Sequence, residues 1–208
     1  MKLYVVRHGE TLWNAQMRVQ GRSDIDLNEC GIKLAEITGE ALKDLEIDRM
    51  YSSPLIRAYH TARIIRGERN IEIIKDDRLK EISFGEYEGR CTNDMPEMFN
   101  AFFNKPEEYV PPKGGETFTQ VIARASDFIY NVAVPASREI KSMMVVAHGC
   151  LNNGIAAVLM HREIKDYWEG IFPRNCSMTT YDIEGENFKV EKYGEIFYEE
   201  NEGKRSVK

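Results

Sequence analysis

Two short valine-rich runs constrain this chain more than anything else in it. One reads Val5-Val6-Arg7-His8-Gly9, and the other, far along the chain, reads Val145-Val146-Ala147-His148-Gly149. Each has the composition of a buried strand. Each ends on a histidine and then meets a glycine that lets the backbone turn sharply. In open α/β sheets, ligand sites form outside the carboxyl ends of parallel strands. If both runs are parallel members of one sheet, the two histidines emerge at the same edge.

The rest of the pattern agrees with such a sheet. Strand-like residues 3–6, 49–52, 71–74 and 143–147 alternate with segments of helical period, which predicts a three-layer α/β/α fold around a mostly parallel sheet. Residues 30–45 read as a helix with Leu34, Ile37, Ala41 and Leu45 on one face. Ser53-Pro54 reads as the N-cap and first position of a helix over 55–66. Arg57 then lies in a first turn whose free N–H groups and positive dipole end favour an anion. Ile122, Ala125, Ile129 and Val132 mark another helix face, and 151–160 a helix just after the second His-Gly. Residues 177–183 and 188–193 flank Glu184-Gly185-Glu186-Asn187 as a C-terminal antiparallel hairpin, followed by a frayed tail at 203–208. The less regular stretch from 90 to 112 carries Phe99, Phe102 and Phe103. It predicts a small helical cap insertion at about residues 90–120 within one domain spanning 1–208.

Composition narrows the classes. With 208 residues, 42% of them hydrophobic, the chain can bury one sizeable core and is not disordered. A net charge of −6 disfavours nucleic acid as a partner and, at face value, anionic ligands altogether. No run approaches the roughly 18 apolar residues of a membrane span. The strand-like run starts at once, leaving no room for a signal peptide. Cys30, Cys91, Cys150 and Cys176 lie far apart without a C-x-x-C pair, which predicts thiols in a reducing cytoplasm rather than disulfides or structural zinc. Nothing in the pattern reads the oligomeric state, and a homodimer stays open.

The residues gathered at the sheet edge suggest a chemistry. Arg7, Arg57, His8 and His148 converging on one point would repel one another unless an anion lay between them. Phosphate suits them, because guanidinium binds its oxygens in bidentate fashion and neutral imidazole attacks phosphorus. Taken singly, each has a plainer reading as a hydrogen-bonded structural histidine or a surface arginine.

At this point the motifs become recognisable. Arg7-His8-Gly9-Glu10-Thr11-Leu12-Trp13-Asn14 resembles the signature of the histidine phosphatase superfamily, the phosphoglycerate mutase-like proteins. The resemblance continues through Gln20-Gly21-Arg22-Ser23-Asp24, Leu27-Asn28-Glu29-Cys30-Gly31, Ser52-Ser53-Pro54-Leu55-Ile56-Arg57-Ala58, and Leu79-Lys80-Glu81-Ile82-Ser83-Phe84-Gly85. It ends with Gly114-Gly115-Glu116-Thr117 and Ala147-His148-Gly149. The blocks keep the family's order over most of the chain, which a lone Arg-His-Gly would not establish.

The resemblance implies phosphomonoester hydrolysis of a small phosphorylated metabolite, with no metal and no cofactor. His8 would be the nucleophile that forms a phosphohistidine. Glu81 would be the acid for the leaving oxygen and then the base for water. Arg7, Arg57 and His148 would hold the phosphoryl oxygens, where charge stabilisation dominates. Asn14, Gln20, Gly21, Ser83, Phe84, Gly149 and Cys150 would contact substrate. Because Glu81 must carry a proton when it acts as acid, activity is expected to be greatest at mildly acidic pH.

Within the family the phosphatase branch fits better than the mutase branch. The interval between Glu81 and His148 is short and holds no Arg-Arg pair, and Cys150 stands where mutases typically carry asparagine. Leu151-Asn152-Asn153 departs from phosphatase relatives that often carry an arginine there. The alternatives are mutase-type phosphoryl transfer and a silent phospholigand-binding protein. The aromatics of 90–112 have two readings, core contacts of a helix pair or pocket lining; the second implies a substrate with an apolar or aromatic body.

Overall fold

The computed structural model describes residues 1–170 and 172–199, so the expected tail at 203–208 lies outside the described residues. The chain runs β1 (Lys2–Arg7), α1 (Leu12–Ala15), α2 (Glu29–Ala41), β2 (Arg49–Ser52), α3 (Ile56–Arg66), β3 (Ile73–Lys75), α4 (Pro96–Asn104), α5 (Phe118–Phe128), α6 (Val134–Ala136), β4 (Ser142–Ala147), α7 (Gly149–Leu159), β5 (Met178–Glu184) and β6 (Asn187–Glu195). The strands form one sheet in the order β3-β2-β4-β1-β5-β6. β1, β2, β3 and β4 are mutually parallel where they pair, and β5 and β6 add the antiparallel hairpin.

The two valine-rich runs are neighbours, with Val5 opposite Val145 and Arg7 opposite Ala147. Both are apolar at consecutive positions because both faces of the sheet are covered. Leu3, Val5, Met143, Val145 and Ala147 pack in the core with α5 and α7, while Tyr4, Val6, Met144 and Val146 pack with Ala62 and Ile65 of α3. The alternation follows the two-residue period of a strand. It fixes the register that brings His8 and His148 to one edge.

Several local expectations shift. α2 stops at Ala41, and its buried positions are Gly31, Leu34, Ala35 and Thr38 rather than a stripe through Ala41 and Leu45. β3 begins at Ile73, two residues later than expected. In α5 the buried positions are Phe118, Val121, Ala125 and Phe128, with Ile122 and Val132 only half-buried. A π-helical turn over Ile129–Ala133 follows, resetting the phase of the face.

The start of α3 is the most informative change. The helix begins at Ile56 with Leu55 as N-cap, so Ser53 does not cap it in the expected way. The Ile56 N–H donates instead to Asp24 Oδ1 at 2.6 Å. Ser53 Oγ accepts from Leu55 N at 3.3 Å and meets His148 Nε2 at 2.8 Å, drawing its side chain toward the site.

Candidate active site

Each side chain at the sheet edge is aimed by the backbone around it. Gly9, two residues beyond β1, passes so close to α2 that an added Cβ would lie 2.5 Å from Gly31 O. Its N–H donates to Thr61 Oγ1 of α3 at 2.9 Å. From the other side Cys176 N donates to Arg7 O at 3.0 Å, with Cys176 at φ +56, a conformation few non-glycine residues adopt. Asn175 Nδ2 donates to His8 O at 2.9 Å. The backbone carrying Arg7 and His8 is therefore held by three separate segments.

His8 is 3% exposed. Its Nδ1 lies 2.6 Å from Gly9 O, and since a carbonyl can only accept, Nδ1 carries the proton and Nε2 keeps its lone pair. Burial, reinforced by the Arg57 and Arg7 charges, pushes the His8 pKa well below the ordinary histidine value. The ring is neutral at physiological pH, with an unprotonated nitrogen. His148 lies at a ring-centroid distance of 5.1 Å from His8. Burial, then Arg57 and His8, likewise hold its pKa well down.

The cationic charge therefore comes from the guanidiniums. Arg57 is fully buried. Its Nη1 and Nη2 donate to Ser23 O at 2.8 Å and Gly21 O at 2.7 Å. Burial brings its pKa down to about 10, opposed by the Glu81 carboxylate, so it stays charged. Arg7 Nη1 donates to Pro173 O at 2.5 Å, and its guanidinium lies 5.1 Å from the Phe172 ring centroid. The Nε atoms of both arginines are buried without a protein partner, as is His148 Nδ1. Buried polar atoms are ordinarily paired, and these three stand out at the sheet edge for having no partner within the protein.

Glu81 stands opposite, attached to the start of α7. Its Oε2 accepts from Cys150 N at 3.1 Å and its Oε1 from Leu151 N at 3.0 Å, with Ile82 N also donating to Oε1 at 2.9 Å. The carboxylate thus occupies the positive end of a helix that leaves the sheet directly after His148. Nothing in the local sequence around Glu81 signals this attachment.

The pocket is lined by Arg7, His8, Asn14, Gln20, Gly21, Arg57, Glu81, Phe84, Gly149 and Cys150, which brings together ten of the residues expected from sequence. Asn14 and Gln20 are tied through Thr11 Oγ1, at 3.1 Å from Asn14 Oδ1 and 3.0 Å from Gln20 Oε1. His148 is fully buried and outside this lining, with its ring 5.1 Å from that of the lining residue His8. Ser83 is not brought to the pocket: its hydroxyl donates to Gly114 O at 2.9 Å and its N–H to Glu116 Oε2, so it holds the neighbouring loop.

Sequence reasoning offered Phe99, Phe102 and Phe103 as pocket lining in one of two readings, but missed Trp168, Phe172 and Arg18, which complete the far wall. Phe102 and Phe103 meet Trp168, and Phe103 meets Phe172. Phe102 is in contact with Phe84, Phe118, Tyr109 and Trp168 as well, so the aromatics serve the core and the pocket together. Trp168 is anchored by Nε1 donating to Phe102 O at 2.6 Å. Trp168 and Phe172 sit in a segment without periodicity, and only tertiary packing reveals their role. The cavity has a volume of about 140 Å³, comparable to one that accepts a single benzene-sized group. Among the described residues no cluster of three or more His, Cys, Asp or Glu is arranged to hold a metal ion. No helix among them is long and apolar enough to cross a membrane.

The chain is similar to known proteins over most of its length. Residues 3–196 match the family model of the histidine phosphatase superfamily (branch 1). Phosphoserine phosphatase 1 of Hydrogenobacter thermophilus is 33% identical over 187 residues, covering 88% of this chain and 85% of the relative. The structure of Bacillus stearothermophilus YhfR superposes with a TM-score of 0.84 at 33% identity, covering 94% of this chain and 97% of that one. A mycobacterial glucosyl-3-phosphoglycerate phosphatase, solved with VO3, superposes with a TM-score of 0.84 at 26% identity, covering 93% and 98%. This chain belongs to the histidine phosphatase superfamily, branch 1, and is a phosphoric monoester hydrolase.

Proposed function

We propose that the chain hydrolyses a small phosphomonoester by two displacements at phosphorus centred on His8. The observation that carries this is the free Nε2 of a neutral His8, in the same pocket as Arg7, Arg57 and Glu81. His8 Nε2 forms a bond to phosphorus while the P–O bond to the leaving group breaks, and protonated Glu81 gives its proton to the departing oxygen. Glu81, now ionised, takes a proton from water as that water attacks the phosphohistidine. The P–N bond breaks, and inorganic phosphate leaves a neutral His8. Arg7, Arg57 and the N–H donors around them stabilise the charge that develops on the equatorial oxygens.

The aromatic far wall supports a leaving group with an apolar or aromatic body, and the 90–112 stretch then acts as a cap over it within a single domain. The pocket's lining cations are Arg7, Arg18 and Arg57. That is few for a mutase that must grip a multiply charged ester, so hydrolysis is favoured over transfer. Arg18 at the mouth supports a second reading, an ester carrying one carboxylate, such as the phosphoserine named for the Hydrogenobacter relative. The free thiols of Cys91, Cys150 and Cys176 support a reducing, cytoplasmic setting.

A panel of phosphorylated metabolites and aryl phosphates, followed by phosphate release, tests these readings. Higher kcat/KM for apolar-bodied esters supports the first, and higher kcat/KM for phosphoserine with loss in Arg18→Ala supports the second. Sugar bisphosphates turned over best of all would overturn both. Equal background release by wild type and His8→Ala would point to a binding protein instead.

A further inference from the structure

His148 is a neutral ring in a buried place, so its two nitrogens share one proton, and which of them holds it decides what the ring can do. Nε2 lies 2.8 Å from Ser53 Oγ, while Nδ1 has no protein partner. Ser53 is fully buried. Its oxygen already accepts from Leu55 N, and His148 Nε2 is the acceptor that the described residues offer to its hydroxyl proton. A proton on Nε2 would leave that hydroxyl hydrogen without an acceptor and Nδ1 as a bare buried lone pair. A proton on Nδ1 pairs the hydroxyl with Nε2 and leaves one N–H donor free.

We propose that Ser53 is a positioning residue that fixes His148 as the Nδ1–H tautomer, so that the ring offers a bound phosphoryl group an N–H instead of a lone pair. The proposal rests on His148 being part of the phosphoryl site. It also explains why α3 begins at Ile56. The serine expected to cap that helix is held instead by the sheet-edge histidine, and Asp24 takes the helix's first N–H.

The test is ¹⁵N NMR of histidine-labelled protein, assigned with His8→Gln, His60→Gln and His161→Gln variants, with and without inorganic phosphate. Wild-type His148 should carry its proton on Nδ1, and phosphate should shift that N–H resonance. In Ser53→Ala the ring should populate both tautomers, and phosphate affinity should fall in proportion to the Nδ1–H fraction that remains, about two- to tenfold for a fraction between one half and one tenth. Ser53→Cys, which keeps the size and a weak donor, should recover part of that loss. Wild-type His148 protonated on Nε2 overturns the proposal, and that spectrum decides even if Ser53→Ala does not fold. A Ser53→Ala protein that keeps both the tautomer and the phosphate affinity overturns it equally. Neither readout uses turnover, so failure of the hydrolytic reading and failure of this one are separate results.

Discussion

Replacing Arg57 by methionine separates two effects that the geometry ties to one side chain. Arg57 is fully buried, donates to Gly21 O and Ser23 O, and after burial is the first cause holding the His8 pKa down. Methionine fills similar space without charge or donors. Losing one preorganised donor to a developing oxyanion costs about 10²–10³ in rate, or about 3–4 kcal/mol. The two carbonyls lose their partner, which costs stability by about 1–3 kcal/mol each, although relief from burying a cation offsets part of that. The charge change also acts on His8. Without Arg57 its pKa rises toward the ordinary value, so the acid limb of kcat/KM, which reports the free enzyme, moves to higher pH.

The assay is kcat/KM for an aryl phosphate from about pH 4 to about pH 9, with urea unfolding beside it to show that the variant is folded. The expected result is a drop of two to three orders of magnitude together with an acid limb displaced upward. A drop below about tenfold, or an acid limb that stays where it was in a folded variant, would refute the assignment of Arg57 to both the phosphoryl oxygens and the His8 environment.

Four further outcomes follow from the same geometry. Glu81→Gln leaves one acceptor oxygen facing donors that now meet both Oε1 and Oε2. It should slow alkyl phosphates by about 10²–10⁴ and aryl phosphates, whose leaving groups need less protonation, much less; equal losses would count against Glu81 as the acid. Phe103→Ala, at a side chain 41% exposed, should lower kcat/KM for apolar-bodied esters with folding stability changed by less than about 1 kcal/mol; unchanged selectivity would remove the aromatic wall from substrate recognition. The buried His8 and His148 have pKa values lowered on folding, so the unfolded chain binds more protons once pH falls below about 6.5. Stability measured by urea unfolding should therefore decline below that pH by up to about 1.4 kcal/mol per pH unit for each ring, less steeply in His148→Gln. Met143→Ala, at the centre of the main core, should cost about 2–5 kcal/mol, read as a lower urea midpoint.

What could be read from sequence was whatever depended on one segment and its period. β1 and β4 were legible because strands buried on both faces are apolar at consecutive positions. The placement of Arg57 followed from one strand, one turn and one helix start. The hairpin of β5 and β6 announced itself by its turn residues. What escaped was decided across segments. Ser53 looks like a helix cap until His148, ninety-five positions away, takes its hydroxyl. Glu81 carries no local mark of its attachment to α7. The far wall draws on the aromatics of α4 together with Trp168 and Phe172, which share no pattern. The opening objection from net charge also dissolves at this level. The overall −6 is spread over the whole chain, while the pocket's positive charge comes from Arg7 and Arg57 beside neutral imidazoles, with Arg18 also in the lining.

The central claim is that phosphorus becomes bonded to His8 during turnover. The direct measurement is rapid quench of the enzyme with a phosphomonoester, followed by peptide mass spectrometry and ³¹P NMR of the trapped protein. The account predicts an acid-labile phosphoryl group on the peptide containing His8, absent in His8→Ala and accumulating in Glu81→Gln with aryl phosphates. Phosphate release at the wild-type rate by His8→Ala, or turnover with no phosphorylated His8 at any quench time, would contradict it.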